Sequence, residues 1–134
     1  MANYCPAARS NYFQVKDPTA FETFCTRWNL EMIRGGEDGG ESPLYGFICS
    51  EAIPHDCYDE EKDEFVDGNF MQELSTHLAE SWVAVVREIG YEKMRYLVGY
   101  TVAINAAGQS LELSLDDIYD QAKQLGKHIT SCEY

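Results

Sequence analysis

Positive charge is what this chain has least of. Ten Lys and Arg stand against 23 Asp and Glu in 134 residues, a formal net charge of −13 at pH 7 with His neutral. A polyanion binds through cationic side chains that displace its counterions, and here it would meet like-charge repulsion instead, so direct nucleic-acid binding is not expected. A partner with a basic surface, including one that itself binds DNA or RNA, would be steered toward the chain.

Long apolar runs are missing as well. Nothing reaches eighteen consecutive apolar residues, so no membrane-spanning helix is expected, and the opening residues MANYCPAARSNYFQVKD lack the basic-then-apolar layout of a secretory signal. The expected location is the cytoplasm. Cysteine is sparse and irregular: the five thiols, at positions 5, 25, 49, 57 and 132, are odd in number and share no spacing, which argues against a disulfide framework and for reduced cysteines. Phosphate-cradling glycine loops of the G-x-x-x-x-G-K-[ST] or G-x-G-x-x-G kind are absent, as is any Asn-x-Ser/Thr acceptor.

What is present suits an ordinary core. A hydrophobic fraction of 45% with 13% aromatics is far from a disordered composition, and the length is that of one domain spanning residues 1–134. Residues 10–16 (SNYFQVK) read as a short strand. Asp17-Pro18 then supplies an N-cap and a proline at the first helical position, and Phe21, Phe24, Cys25 and Trp28 form one apolar stripe at i, i+3, i+4 and i+7. Asn29 to Ile33 reads as a second strand, the glycine-rich acidic stretch 34–43 as a loop, and Leu44 to Cys49 as a third strand in which Gly46 marks a bulge or a close approach.

Residues 50–68 read as a long acidic connection. From Asn69, with Gln72 completing a capping box, the positions Phe70, Leu74, Leu78, Trp82, Val85, Val86 and Ile89 predict one long helix ending at Gly90. Lys93 to Ile104 is rich in β-branched and aromatic residues and largely apolar on both faces, as a central strand would be, and Asn105 to Gly108 turns it into a return strand around Leu111 and Leu113. Ser114 and Asp117 form a capping box that opens a last helix, stopping at Gly126. The order β-α-β-β-α-β-β-α predicts an α+β domain: an antiparallel or mixed sheet of about five strands, with helices mainly on one face.

Few constellations carry chemistry. His55 and Cys57 flank Asp56 near Asp59, but zinc wants four ligands in tight pairs and only half a pair exists, so no metal and no cofactor are expected. In DEEKDEFVDGNF the glycine falls too late for a calcium loop. Cys25 and Cys49 lie in apolar patterns and read as packed thiols, and His77 sits at the edge of the long helix's stripe. What stands out is acid density: Glu51 to Glu64 holds seven carboxylates against the single cation Lys62. Asp56, Asp59, Glu60, Glu61, Asp63 and Glu64 are the candidate partner-binding residues.

The segment EKMRYLVGYTVAINAAGQSLELSLDDIYDQAKQLG resembles small acidic proteins of bacterial plasmids and phages, themselves uncharacterised. That resemblance implies a bacterial cytosolic accessory protein, and no activity or site residue follows from it. The expected function is a non-enzymatic interaction domain, a modulator or inhibitor whose acidic connection contacts a basic partner by imitating the phosphate spacing of nucleic acid. The alternative is a small hydrolase or ligand-binding enzyme using carboxylates with His55 or Cys57. A homodimer through a sheet edge or an apolar patch is a third expectation.

Overall fold

The computed structural model describes residues 4–35, 43–54, 56–59, 64–67, 69–93 and 96–132. In chain order the elements are β1 (Cys5–Ser10), α1 (Pro18–Arg27), β2 (Leu30–Gly35), β3 (Leu44–Cys49), β4 (Asp56–Asp59), β5 (Glu64–Asp67), α2 (Phe70–His77), β6 (Val83–Glu92), β7 (Tyr96–Asn105), β8 (Ser110–Ser114) and α3 (Ile118–Ala122), the last entered through a 3-10 turn at Leu115–Asp117. Six strands form one antiparallel sheet in the order β2-β3-β1-β6-β7-β8, and β4 and β5 pair separately. The α+β class is as expected; the sheet has one strand more than the sequence suggests.

That strand comes out of the expected long helix. Residues 69–89 are helical only as far as His77: Leu78 is extended, at φ −75° and ψ 136°, and Ser81 turns the chain in the left-handed region at φ 73°. Beyond the turn, Ala84, Val86 and Glu88 point inward while Val83, Arg87 and Ile89 are exposed, a strict period of two. Val83, Val85 and Val86 suit an extended backbone, and pairing with β1 and β7 overrides a spacing that also fits a helix.

The first strand also differs from expectation. It is Cys5–Ser10, between β3 and β6 in the sheet, so that of the expected residues 10–16 Ser10 ends this strand and residues 11–16 add the isolated bridges Phe13 to Tyr45 and Val15 to Leu78. Its inward residues Ala8 and Ser10 are small, so it carries no strong strand signal. The β3 ladder reaches β1 only at Ala8 and Arg9, so Pro6 falls where one side of the strand is an edge, a place proline tolerates.

One face of the sheet is covered. Phe21, Phe24, Cys25 and Trp28 from α1 and its end, with Phe70, Leu74 and Leu78 from α2, pack on Ala8, Phe47, Cys49, Ala84, Val86 and Ile104. Aromatic rings fill the centre: Phe24 stacks on Phe70 with centroids 5.5 Å apart, and Phe13 meets Phe21 edge-on at 5.6 Å. Asp17 caps α1 as expected, its Oδ1 accepting from Thr19 N at 3.0 Å; at α2 Asn69 Oδ1 accepts from Gln72 N at 3.1 Å, whereas the Gln72 side chain, expected to complete a capping box, turns elsewhere. The Gln72 side chain donates to Gly108 O at 3.1 Å, and Ser75 Oγ donates to Asn105 O at 2.9 Å, so α2 holds the turn between β7 and β8. Gly46 is a close approach: a Cβ there would lie 2.6 Å from Asn11 O.

Candidate interaction surfaces

The expected acidic connection contains two short strands among its described residues. Its strands β4 and β5 form an antiparallel pair apart from the main sheet, with Asp56 opposite Asp67, Cys57 opposite Val66, Tyr58 opposite Phe65 and Asp59 opposite Glu64. Of the candidate residues, Asp56, Asp59 and Glu64 therefore meet on this one pair of strands. Glu60, Glu61 and Asp63, like His55, lie outside the described residues. The register sets an acidic position against an acidic position at both ends of the ladder.

A buried carboxylate fastens the segment that leads into these strands. Glu88 of β6 is only 6% exposed; its Oε1 accepts from Ile53 N at 2.7 Å and its Oε2 from the Tyr4 hydroxyl at 2.9 Å. Tyr4 lies over Gly90, where an added Cβ would come within 2.6 Å of the ring. Burial, and then the bond to Glu88, push the Tyr4 hydroxyl up to about 12; burial and then the same carboxylate push the Cys49 thiol up to about 11 and raise Tyr100. All three stay protonated at neutral pH, and Cys49 is a packed thiol that lacks thiolate character. Burial, followed by Cys49, pushes Cys25 up to about 12, so both cysteines are the core thiols expected.

Sequence reasoning missed Glu88 because it placed residue 88 on a helix. An acid between Arg87 and Ile89 signals burial only once the alternation Ala84, Val86, Glu88 is read as a strand.

His77 is similarly structural. Its ring lies 4.9 Å from that of Phe24 and 6.2 Å from that of Phe21, and burial, then the nearby Arg27, lower its pKa. Arg27 pairs with Glu73, which also accepts from Trp28 Nε1 at 2.9 Å and so ties α1 to α2. Among the described residues no group of three or more His, Cys, Asp or Glu is placed to hold a metal ion, and no helix is long and apolar enough to cross a membrane.

The sheet's second face is largely open. Alternation and register put Val83, Val85, Arg87, Ile89 and Tyr91 of β6 on it, beside Leu97, Gly99, Thr101 and Ala103 of β7 and Leu111 and Leu113 of β8. Ile89 is 65% and Leu111 78% exposed. The expectation that β7 is buried on both faces is corrected here: Val102 and Ile104 are buried, whereas Leu97 is half exposed. An open cavity of about 370 Å³, lined among others by Val83, Ala103, Asn105, Gln109 and Leu111, lies at one end of this face. In its middle, Arg9 of β1 stands directly opposite Arg87.

Comparison of the chain with protein families, with characterised proteins and with solved structures finds no match.

Proposed function

We propose that this chain is a protein-interaction domain that engages a partner with a basic surface through the acidic β4–β5 strands. The observation that carries the reading is their register, with Asp56 facing Asp67 and Asp59 facing Glu64. Like charges directly opposite raise the free energy of an unliganded strand pair, and a cation set between them lowers it, so binding and strand order reinforce one another. The −13 net charge extends the attraction beyond contact distance.

The bonds from Tyr4 and Ile53 to Glu88 anchor the leading segment to the core, which limits the entropy lost when a partner binds. In this reading carboxylates stand where a nucleic acid would present phosphates, and the domain acts as a modulator or inhibitor of a nucleic-acid-binding protein.

The test is capture of basic proteins from a bacterial lysate at about 50 and about 200 mM salt, a range over which charge-driven contacts weaken. One variant carries Asp59→Asn, Glu60→Gln, Glu61→Gln, Asp63→Asn and Glu64→Gln. A control neutralises as many acids elsewhere: Glu22, Glu31, Glu112, Asp116 and Asp120. Salt-sensitive retention lost in the first variant and kept in the control is the expected result. Equal loss in both, or no retained basic protein, sinks the reading.

A further inference from the structure

Two exposed cations interrupt the apolar surface of the open sheet face. Arg9 and Arg87 stand directly opposite one another on β1 and β6, and neither joins an ion pair among the described residues. Arg9 Nε donates to Ser10 O at 3.1 Å and its guanidinium lies 5.7 Å from the centre of the Tyr12 ring, which leaves its two terminal nitrogens for another acceptor. Glu31, the acid on this row, is separated from Arg9 by Ile48, two strand spacings or roughly 10 Å across the sheet. Like charges directly opposite repel, and an anion set between the guanidiniums turns that cost into attraction.

The surface on either side of this pair differs. On one side, in the row of Ile89 and Gly99, Leu115 packs on Gly99 and stands over the sheet. On the other, Val85 and Ala103 lead to Val83 and Leu111 and to the open cavity of about 370 Å³ that Val83, Ala103 and Leu111 help to line. From Arg87 to Val83 is four residues of extended strand, roughly 13 Å at about 3.3 Å per residue. An apolar path of that length joins one pair of cations to one hollow, whose volume falls in the range that takes small ligands.

We propose that this face binds a small amphiphilic carboxylate, a fatty acid of medium length in chemical class, with its head between Arg9 and Arg87 and its tail over Val85 and Ala103 into the cavity. Two guanidiniums match one carboxylate, and the apolar path matches an unbranched alkyl chain. The molecule's own charge selects against more highly charged occupants. At −13 it repels an acidic polypeptide or an anionic membrane, whereas a monoanion meets the least of that repulsion and still gains the local pair. Burial of the tail supplies most of the affinity. None of this rests on the β4–β5 strands.

Decanoate, whose extended chain is close to the length of that path, is the probe, titrated calorimetrically into the full chain while amide shifts are followed by NMR. Saturable binding with a Kd below about 1 mM is expected, with the largest shifts at Val85, Arg87, Ala103 and Leu111. Decanol, which lacks the charge, and octanoate, which has a shorter tail, are each expected to bind about tenfold more weakly. Arg87→Gln and Leu111→Asp, both at exposed positions, are each expected to raise the Kd by about tenfold, with circular dichroism confirming that the variants are folded. The β4–β5 neutralised variant keeps decanoate binding. Absence of saturable binding, decanol binding as tightly as decanoate, or an affinity indifferent to both Arg87→Gln and Leu111→Asp overturns the proposal. So does an acidic peptide of alternating Glu and Leu that binds this face more tightly than decanoate, which would make it a docking surface for protein.

Discussion

Ser10 and Glu88 are polar side chains in an aromatic interior, and each replaces the water it gave up. Ser10 Oγ donates to Asn11 O at 2.7 Å and accepts from Phe47 N at 2.9 Å, where β1 and β3 approach too closely for anything but Gly46. Among the described residues no buried side-chain nitrogen or oxygen lacks a partner. Glu88→Ala would strip acceptors from Ile53 N and the Tyr4 hydroxyl at once. The expected loss of stability is about 2–3 kcal/mol, measured by urea unfolding, because buried donors left without acceptors carry their full desolvation cost. Hydrogen exchange at the Ile53 amide should accelerate more than at the Phe47 amide, whose acceptor is Ser10; equal acceleration at both would remove the anchoring role given to Glu88.

At the scale of the element, the decisive feature is the short turn between α2 and β6. Leu78 N donates to Ser75 O at 3.2 Å and Trp82 N to Ala79 O at 3.1 Å, closing α2 and opening the strand, with Ser81 at φ 73° between them. A left-handed backbone costs an L-residue about 1–2 kcal/mol, a cost glycine escapes. Ser81→Gly is therefore expected to leave the protein as stable or up to about 1 kcal/mol more stable, and Ser81→Val to destabilise it, both read from thermal unfolding. Destabilisation by glycine would mean that the helix reading of residues 78–89 describes the chain better than the strand does.

The same turn shows why sequence pattern misleads here. Phe70, Leu74, Leu78 and Trp82 step by four, and Val85, Val86 and Ile89 continue close to that step, while Ala84, Val86 and Glu88 step by two. Both periods run through Val86. Only the hydrogen-bond ladders to β1 and β7 choose between them. By contrast α1 was legible from Asp17 to Trp28, since its cap, its proline and its apolar stripe all act within a few residues of one another.

For the whole molecule, charge and core set opposite tendencies: −13 makes copies repel, and the second sheet face exposes apolar surface. Acid should weaken the fold through His77. Burial, then Arg27, hold its folded pKa below the ordinary 6.5, while Asp17 acts the other way and Lys16 with Arg27. The unfolded chain therefore binds more protons as pH falls below 6.5. The His77 contribution is fully present above that pH and is lost as pH falls through the folded pKa. Urea midpoints of the protein and of His77→Gln, followed from pH 8 to about 5, are expected to converge toward the acid end; a gap that stays constant would mean that the ring contributes by packing alone.

By itself the sequence determined the α+β class, the first helix, the third strand, the hairpin of β7 and β8, and the excess of acid, because caps, turns, alternation and net charge are local or additive. Only the tertiary structure decided that Cys5–Ser10 lies inside the sheet, that residues 83–92 form a strand, that Glu88 is an interior anchor, and which face of β7 is buried. Those outcomes depend on which distant strands pair and on where α1 and α2 pack: both cover the same face of the sheet, and the other is left to meet solvent or a partner.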